Sequence, residues 1–282
     1  MRFVLDCIYL LAFTTITPMV VYRMLRYKRY RTGWAERFGK IVRKDPALKK
    51  CIWLHAVSVG EVNAAKTVVR ELENKFSDYE ILITATTDTG FARASKLFGD
   101  RLQVSYFPLD FSWIMRRAFC RIQPAVCLLM ELEVWPNFVQ VAHQLKIPVI
   151  VINGRISEKS FSRYKKIRPI AKKIFQKVSL TLAQTDEYAQ RFVKVGCPEE
   201  RVIVTGSLKY DTAQITDKVE GADTLAVQLK IKNQRLWVAG GTGNDEEKIL
   251  LDVYQSLKQQ KQFKDLRLVI VPRKPERLDE VR

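Results

Sequence analysis

From residue 51 onward, short apolar runs alternate with stretches whose apolar positions recur at helical spacing. The apolar runs cover 51–57, 80–85, 102–106, 125–130, 148–152, 180–183 and 202–204. Helical patterns lie between them at 62–76, 90–97, 112–122, 137–145, 160–176 and 186–194. The runs have strand length and the intervening stretches have helix length. Strict alternation of the two predicts an α/β fold, a doubly wound and mostly parallel sheet. Ligands of such sheets sit beyond the C-terminal ends of the strands. The rule selects the strand exits 58–61, 86–90, 131–137 and 153–157 as candidate site.

Before this pattern, residues 4–22 are almost continuously apolar, interrupted by Asp6. About nineteen residues at helical rise nearly match a bilayer core. Arg23, Arg26, Lys28, Arg29 and Arg31 follow, and only Arg2 precedes. The bias predicts a single N-terminal membrane anchor with the rest of the chain on the cytoplasmic side. It also disfavours a cleaved signal peptide. Asp6 and Pro18 equally permit an interfacial helix. Residues 211–234 are polar and read as a linker. A second α/β pattern then starts, with a strand at 235–239, a glycine-rich turn at 240–244, a helix at 245–260 and a strand at 266–271. The expected organisation is an anchor and basic flank at 1–30, an α/β domain at 31–210, the linker, and the start of a second domain at 235–282. Two strands and one helix cannot close a core, so this second domain is expected to be incomplete.

Charge narrows the partners. Lys and Arg number 48 against 30 Asp and Glu, a formal net charge of +18. The excess favours an anionic partner. Nucleic acid is disfavoured, because no helix-turn-helix, RRM or zinc pattern accompanies it. An anionic membrane surface or a phosphorylated substrate remains. The five cysteines form no C-x-x-C pair and mostly lie in apolar runs, as buried thiols of a reducing compartment do. The two histidines, His55 and His143, make no metal site by themselves, and His55 reads as a packed core or site-wall residue.

Six constellations could carry chemistry. Ser58-Val-Gly-Glu61 follows the first strand. In one reading Ser58 caps the next helix and Glu61 completes a capping box. In the other, free N–H groups and the helix dipole hold a ligand beside the Glu61 carboxylate. Residues 130–137, Met-Glu-Leu-Glu-Val-Trp-Pro-Asn, place Glu131 and Glu133 at a strand exit, where carboxylates can orient sugar hydroxyls, hold a proton or cap a helix. Arg155, in Asn153-Gly-Arg-Ile-Ser157, can pair with a carboxylate or phosphate. Thr205-Gly-Ser-Leu-Lys209 precedes the linker. The turn at 240–243 opens a helix yet lacks a Walker lysine and the full dinucleotide fingerprint. Pro272-Arg-Lys-Pro-Glu-Arg277 concentrates positive charge after the last strand.

Taken together and in order, these pieces resemble the 3-deoxy-D-manno-octulosonic acid (Kdo) transferases of lipid A assembly. The likeness covers essentially the whole chain. It is carried by the apolar N-terminus, Glu36 and Arg37 in the 33–39 connector, Trp53-Leu-His-Ala-Val-Ser-Val-Gly-Glu61, Thr86-Thr-Asp-Thr-Gly90, Pro108-Leu-Asp110, residues 130–137 and 153–157, Leu182-Ala-Gln184, and residues 205–211 and 271–277. The resemblance implies a GT-B glycosyltransferase with two Rossmann-like domains and the active site in their cleft. It implies inverting, metal-independent transfer of Kdo from CMP-Kdo to a lipid A precursor (lipid IVA) at the inner membrane, in lipopolysaccharide biosynthesis, with no cofactor. Glu61 would be the general base. Ser58, Gly60, Thr87, Glu131, Glu133 and Arg155 would line the acceptor side, with Glu131 and Glu133 sharing an acidic site. Ser207, Lys209, Thr242, Glu246, Arg273, Lys274 and Arg277 would serve the donor. Gly243 and Lys274 stand where the family commonly has His. The family also continues well past residue 282, so the chain alone is expected to lack much of its donor site and to be inactive or impaired. The alternatives are another membrane-associated GT-B glycosyltransferase and a non-catalytic lipid-binding fragment.

Overall fold

A computed structural model describes residues 2–27, 32–43, 50–211, 219, 221–231, 234–243, 245–273 and 277–281. The chain divides into two compact units, Met1–Ala213 and Gln214–Arg282.

The first unit begins with helices α1 (Arg2–Tyr27) and α2 (Trp34–Arg37). Strands and helices then alternate: β1 (Lys50–His55), α3 (Val59–Lys75), β2 (Tyr79–Ala85), α4 (Asp88–Phe98), β3 (Gln103–Tyr106), α5 (Ser112–Ile122), β4 (Pro124–Met130) and α6 (Pro136–Gln144). They continue through β5 (Val149–Gly154), α7 (Glu158–Lys166), α8 (Arg168–Phe175), β6 (Leu180–Ala183), α9 (Asp186–Val195), β7 (Val202–Val204) and α10 (Leu208–Asp211). The seven strands form one sheet in the order β3-β2-β1-β4-β5-β6-β7. Every pairing is parallel. Strand order therefore reverses between β1 and β4, and the exits of those two strands flank the switch point where open α/β sheets bind ligands.

The central strands are buried on both faces, which is why they read as unbroken apolar runs. One face packs under α3 and α4, through Val62, Ala65, Val69, Ala94 and Phe98. The other packs under α5, α6, α8 and α9, through Met115, Phe119, Phe138, Phe175 and Phe192. Trp53 is fully buried; its rings lie 4.9 Å from Phe138 and 5.1 Å from Phe119. Its indole N–H donates to Thr84 Oγ1 at 2.9 Å, so the one polar atom it buries is satisfied.

Helix α1 has an 18-residue stretch, Leu5–Tyr22, long and apolar enough to cross a membrane by length and composition. Its start is nonetheless tied to the sheet domain. Asp6 accepts from the Ser112 N–H at 2.9 Å, the Ser112 hydroxyl at 2.5 Å and Asn137 Nδ2 at 3.0 Å. The Tyr9 hydroxyl donates to Asp110 at 3.0 Å, and its ring meets Phe111 edge-on.

The second unit contains α11 (Ala222–Gln228), β8 (Leu236–Thr242), α12 (Glu246–Lys258), β9 (Arg267–Pro272) and α13 (Leu278–Val281). β8 and β9 pair in parallel.

Several expectations change. The single helix at 160–176 is two helices, α7 and α8, broken at Ile167. Pro169 explains the break: it has no N–H to continue a helix and is suited to a first turn, which is where α8 holds it. The glycine-rich turn at 240–244 is mostly strand. β8 runs on to Thr242 with a register shift between Gly240 and Thr242, and Gly241 takes φ +76°. The segment read as a linker carries α11, while 212–218, 220 and 232–233 lie outside the described residues.

Candidate functional site

The site is built where β1 and β4 end. After β1 the chain turns through Ser58, whose extended backbone makes it the N-cap of α3. The Glu61 N–H donates to Ser58 Oγ at 3.4 Å, and the Ser58 hydroxyl donates to Glu61 Oε1 at 2.9 Å. Glu61 Oε2 accepts from the Val57 N–H at 2.9 Å. The capping arrangement is therefore present. The same residue is gripped through its next peptide, where Thr87 Oγ1 donates to the Val57 carbonyl at 2.9 Å. Thr87 also caps α4, accepting from the Gly90 N–H at 3.0 Å. A Cβ at Gly90 would lie 2.6 Å from that carbonyl, so only glycine lets α4 start this close to the β1 exit.

Glu61 is buried, only 8 % exposed. Burial raises its pKa and the Glu131 charge adds to that, while the bonds from Val57 and Ser58 oppose it. After β4, Glu131 takes a left-handed φ of +52° and donates its N–H to Ile152. This sharp exit brings Glu133 round to accept from Trp135 Nε1 at 2.9 Å. Burial pushes the Glu133 carboxyl up to about 7, with the Glu61 charge the next cause. Three carboxyl groups thus share one electrostatic neighbourhood at the switch point. Burial favours the protonated forms of Glu61 and Glu133 and brings the Glu133 carboxyl to where it holds or exchanges a proton near neutral pH. Among the described residues, no group of three or more His, Cys, Asp or Glu is placed to hold a metal ion.

Gly60 sits exposed on the first turn of α3 beside this cluster. A Cβ there would meet only Ser58 Oγ, at 3.9 Å. Packing does not require glycine at this position.

Arg155 is exposed beyond the β5 exit. Ser207 and Lys209 lie where Asn153 Oδ1 accepts from the Leu208 N–H at 3.1 Å, which ties their loop to the β5 end of the first unit. Thr242, Glu246, Arg273 and Arg277 are in the second unit. Thr242 is buried at the end of β8, and its carbonyl accepts from the Arg273 N–H at 3.0 Å. Glu246 accepts from the Gly243 N–H at 2.6 Å. Arg277 is engaged by Glu247, at 2.9 and 3.3 Å, and by Glu280 at 3.2 Å. Its charge is already matched, which weakens its assignment to a ligand phosphate. Lys274 lies outside the described residues. His55 is a fully buried core residue, stacked 3.7 Å from Phe107, and burial lowers its pKa to about 3.

Two supporting groups escaped sequence reasoning. Buried Arg37 donates to the Thr86 carbonyl at 3.1 Å, pairs with Asp88 at 3.5 Å and covers the Tyr106 ring at 4.3 Å, steadying the 86–90 turn. Buried Asp110 accepts from the N–H groups of Asn137 and Phe138, at 3.0 and 2.8 Å, at the start of α6. Burial raises Asp110 to about 7. Both residues fell within quoted motifs, but no local spacing pointed to their partners.

Residues 32–212 match the sequence family described as 3-deoxy-D-manno-octulosonic-acid transferase (kdotransferase). The 3-deoxy-D-manno-octulosonic acid transferase of Haemophilus influenzae is 34% identical over 90% of this chain and 58% of its own length. Its counterpart from Chlamydia pneumoniae is 32% identical over 89% of this chain and 58% of its own length. The chain thus spans 58% of each of these relatives. A crystal structure of UDP-GlcNAc 2-epimerase from Neisseria meningitidis superposes with a TM-score of 0.56 at 16% identity, covering 78% of this chain and 64% of that one. That likeness concerns the α/β fold.

Proposed function

The chain belongs to the Kdo transferase family, and on that footing we propose that it transfers Kdo from CMP-Kdo to a lipid A precursor such as lipid IVA, at the cytoplasmic face of an inner membrane, on a GT-B framework. The observation that carries this reading is the carboxyl cluster of Glu61, Glu131 and Glu133 at the β1/β4 switch point, next to the exposed Gly60 turn.

In the reaction, the acceptor hydroxyl gives its proton to Glu61 as its oxygen attacks the anomeric carbon of Kdo. The bond from that carbon to the CMP phosphate breaks on the opposite face, and CMP departs with the electron pair, so configuration inverts. Glu61 must be ionised to act as base, and its bonds from Val57 and Ser58 favour that state and fix its orientation. Glu133 and Glu131 orient the acceptor sugar. Ser58, Thr87 and Arg155 complete the acceptor side. Lys209, Arg273 and Lys274 offset charge on the leaving phosphate. No step calls on a metal ion or cofactor.

The test is transfer of labelled Kdo from CMP-Kdo to lipid IVA in detergent micelles by the protein expressed from its complete reading frame, with CMP release followed in parallel. Labelled lipid and equimolar CMP are expected. CMP release with another lipid or peptidoglycan sugar acceptor, or use of a UDP-sugar donor, would point to a different GT-B transferase. Lipid binding without any transfer would make the chain a binding module.

A further inference from the structure

We propose that Arg37 is a positioning residue for Glu61: it holds the 86–88 turn, and through Thr87 and Val57 that turn fixes the carboxyl group that takes the acceptor's proton. The proposal rests on the reading of Glu61 as the base and adds to it a residue that acts only through others.

Arg37 ends α2 and is 6 % exposed. The connector sets its place. Gly33 takes φ +77°, and a Cβ there would lie 1.9 Å from the Tyr106 ring, so only glycine lets the chain pass this close to the end of β3. The Arg37 carbonyl accepts from the Leu109 N–H at 2.9 Å. The Tyr106 ring covers the guanidinium at 4.3 Å and stacks on Phe91 of α4 at 4.1 Å. Its hydroxyl donates to Asp88 at 3.3 Å. Held in this way, Arg37 Nη2 donates to the Thr86 carbonyl at 3.1 Å and pairs with Asp88 Oδ1 at 3.5 Å. Thr86 and Asp88 flank Thr87, so one cation grips both neighbours of that residue.

Thr87 passes the constraint on. Its hydroxyl donates to the Val57 carbonyl at 2.9 Å and accepts from the Gly90 N–H at 3.0 Å and the Thr89 hydroxyl at 3.4 Å. Those three bonds fill the one donor and two acceptor positions of a hydroxyl. The Thr87 N–H also donates to the Val57 carbonyl, at 3.4 Å. Val57 lies beyond the end of β1, where the strand ladder no longer fixes it. The bonds to its carbonyl therefore set its backbone, and its N–H donates to Glu61 Oε2 at 2.9 Å. If the 86–88 turn drifts, Val57 follows and Glu61 loses the donor that aims it. An ångström of misplacement at a reacting group costs on the order of a hundredfold in rate. Thr87 thus serves the acceptor side through Val57 and Glu61.

The test is a double-mutant cycle on Kdo transfer by the protein expressed from its complete reading frame. Arg37→Met keeps an unbranched stem and removes the donors. It is expected to lower kcat roughly 10- to 100-fold with KM for lipid IVA unchanged within about twofold, and Thr87→Val is expected to do the same. In a Glu61→Gln background each should cost less than about threefold, because the group they position can no longer take a proton. Arg37→Lys, which can still donate to the Thr86 carbonyl, should recover part of the lost kcat. Equal losses with and without the Glu61 carboxyl, or a loss carried by KM alone, would overturn the proposal. Where Arg37→Met does not fold, Thr87→Val carries the cycle by itself. Amide hydrogen exchange supplies a readout independent of transfer. The Val57 N–H should exchange at least about tenfold faster in either variant than in the wild type, and unchanged exchange would overturn the clamp. Absence of transfer by the wild type would instead defeat the reading of Glu61 as base, while the exchange rates still judge the clamp.

Discussion

The same local device occurs twice. After β1, Glu61 in the first turn of α3 reaches back to the Val57 N–H at 2.9 Å. After β8, Glu246 in the first turn of α12 reaches back to the Gly243 N–H at 2.6 Å. In backbone terms both are caps. Their surroundings differ. Glu61 is buried beside two further carboxyl groups, whereas Glu246 is exposed. Next to it in sequence, Glu247 pairs with Arg277, which holds the Glu247 carboxyl below the usual carboxylate range. Capping is thus neutral towards chemistry. Burial and a neighbouring like charge separate the setting of Glu61 from that of a carboxylate that only ends a helix.

The sharpest way to break this comparison is to remove each carboxylate in turn. Glu61→Gln keeps an acceptor for the Val57 N–H but cannot take a proton, so kcat for Kdo transfer should fall roughly 10²- to 10⁴-fold. Glu246→Gln should leave kcat within a few-fold. Equal losses in single-turnover assays would collapse the distinction.

Next in size is the steric demand of the two turns. Gly90→Ala drives a Cβ to 2.6 Å from the Val57 carbonyl and should cost about 1–3 kcal/mol. At Gly243 the nearest atom to an added Cβ is Glu246 Oε2, 3.6 Å away. Gly243→Ala should therefore be close to neutral in urea unfolding; equal costs would mean that the β1 exit is not tightly clamped.

Proton linkage gives a smaller signal. Glu133 is raised to about 7 from an unfolded value near ~4.3. Between those values the folded state binds more protons than the unfolded one, so stability declines as pH rises from about 4 to about 7. Glu133→Gln should flatten that decline, measured as urea midpoints between pH 4 and 8, while the share from Asp110 remains. An unchanged slope would show that Glu133 titrates normally. The smallest effect is at Gly60. Gly60→Ala should stabilise the first turn of α3 by about 0.5–1 kcal/mol and yet raise KM for the acceptor. A rise in stability with KM unchanged would mean that the acceptor does not approach Gly60.

Much of the sheet was legible because its strands are buried on both faces and so read as apolar runs. Pro169 marked the break at Ile167 in plain view, but the apolar spacing ran through it and masked the signal. β8 continues across Gly240 and Gly241 because pairing with β9 overrides the local preference of glycine for turns. Glu61 was legible as a cap from its spacing, and the base role proposed for it rests on family resemblance. Asp6 looked like a blemish in an apolar run. Its partners lie 106 and 131 positions away, and no periodicity reports a bond of that reach.

That reach has a kinetic consequence. α1 is synthesised first, but Asn137 is made 131 residues after Asp6. At roughly 5–20 residues per second, the helix waits on the order of ten seconds before the groups that hold its start exist. During that time it is an apolar helix without the groups that hold its start. The bonds that hold the start of α1 therefore close late, after the strands and helices that carry Ser112 and Asn137 have been made.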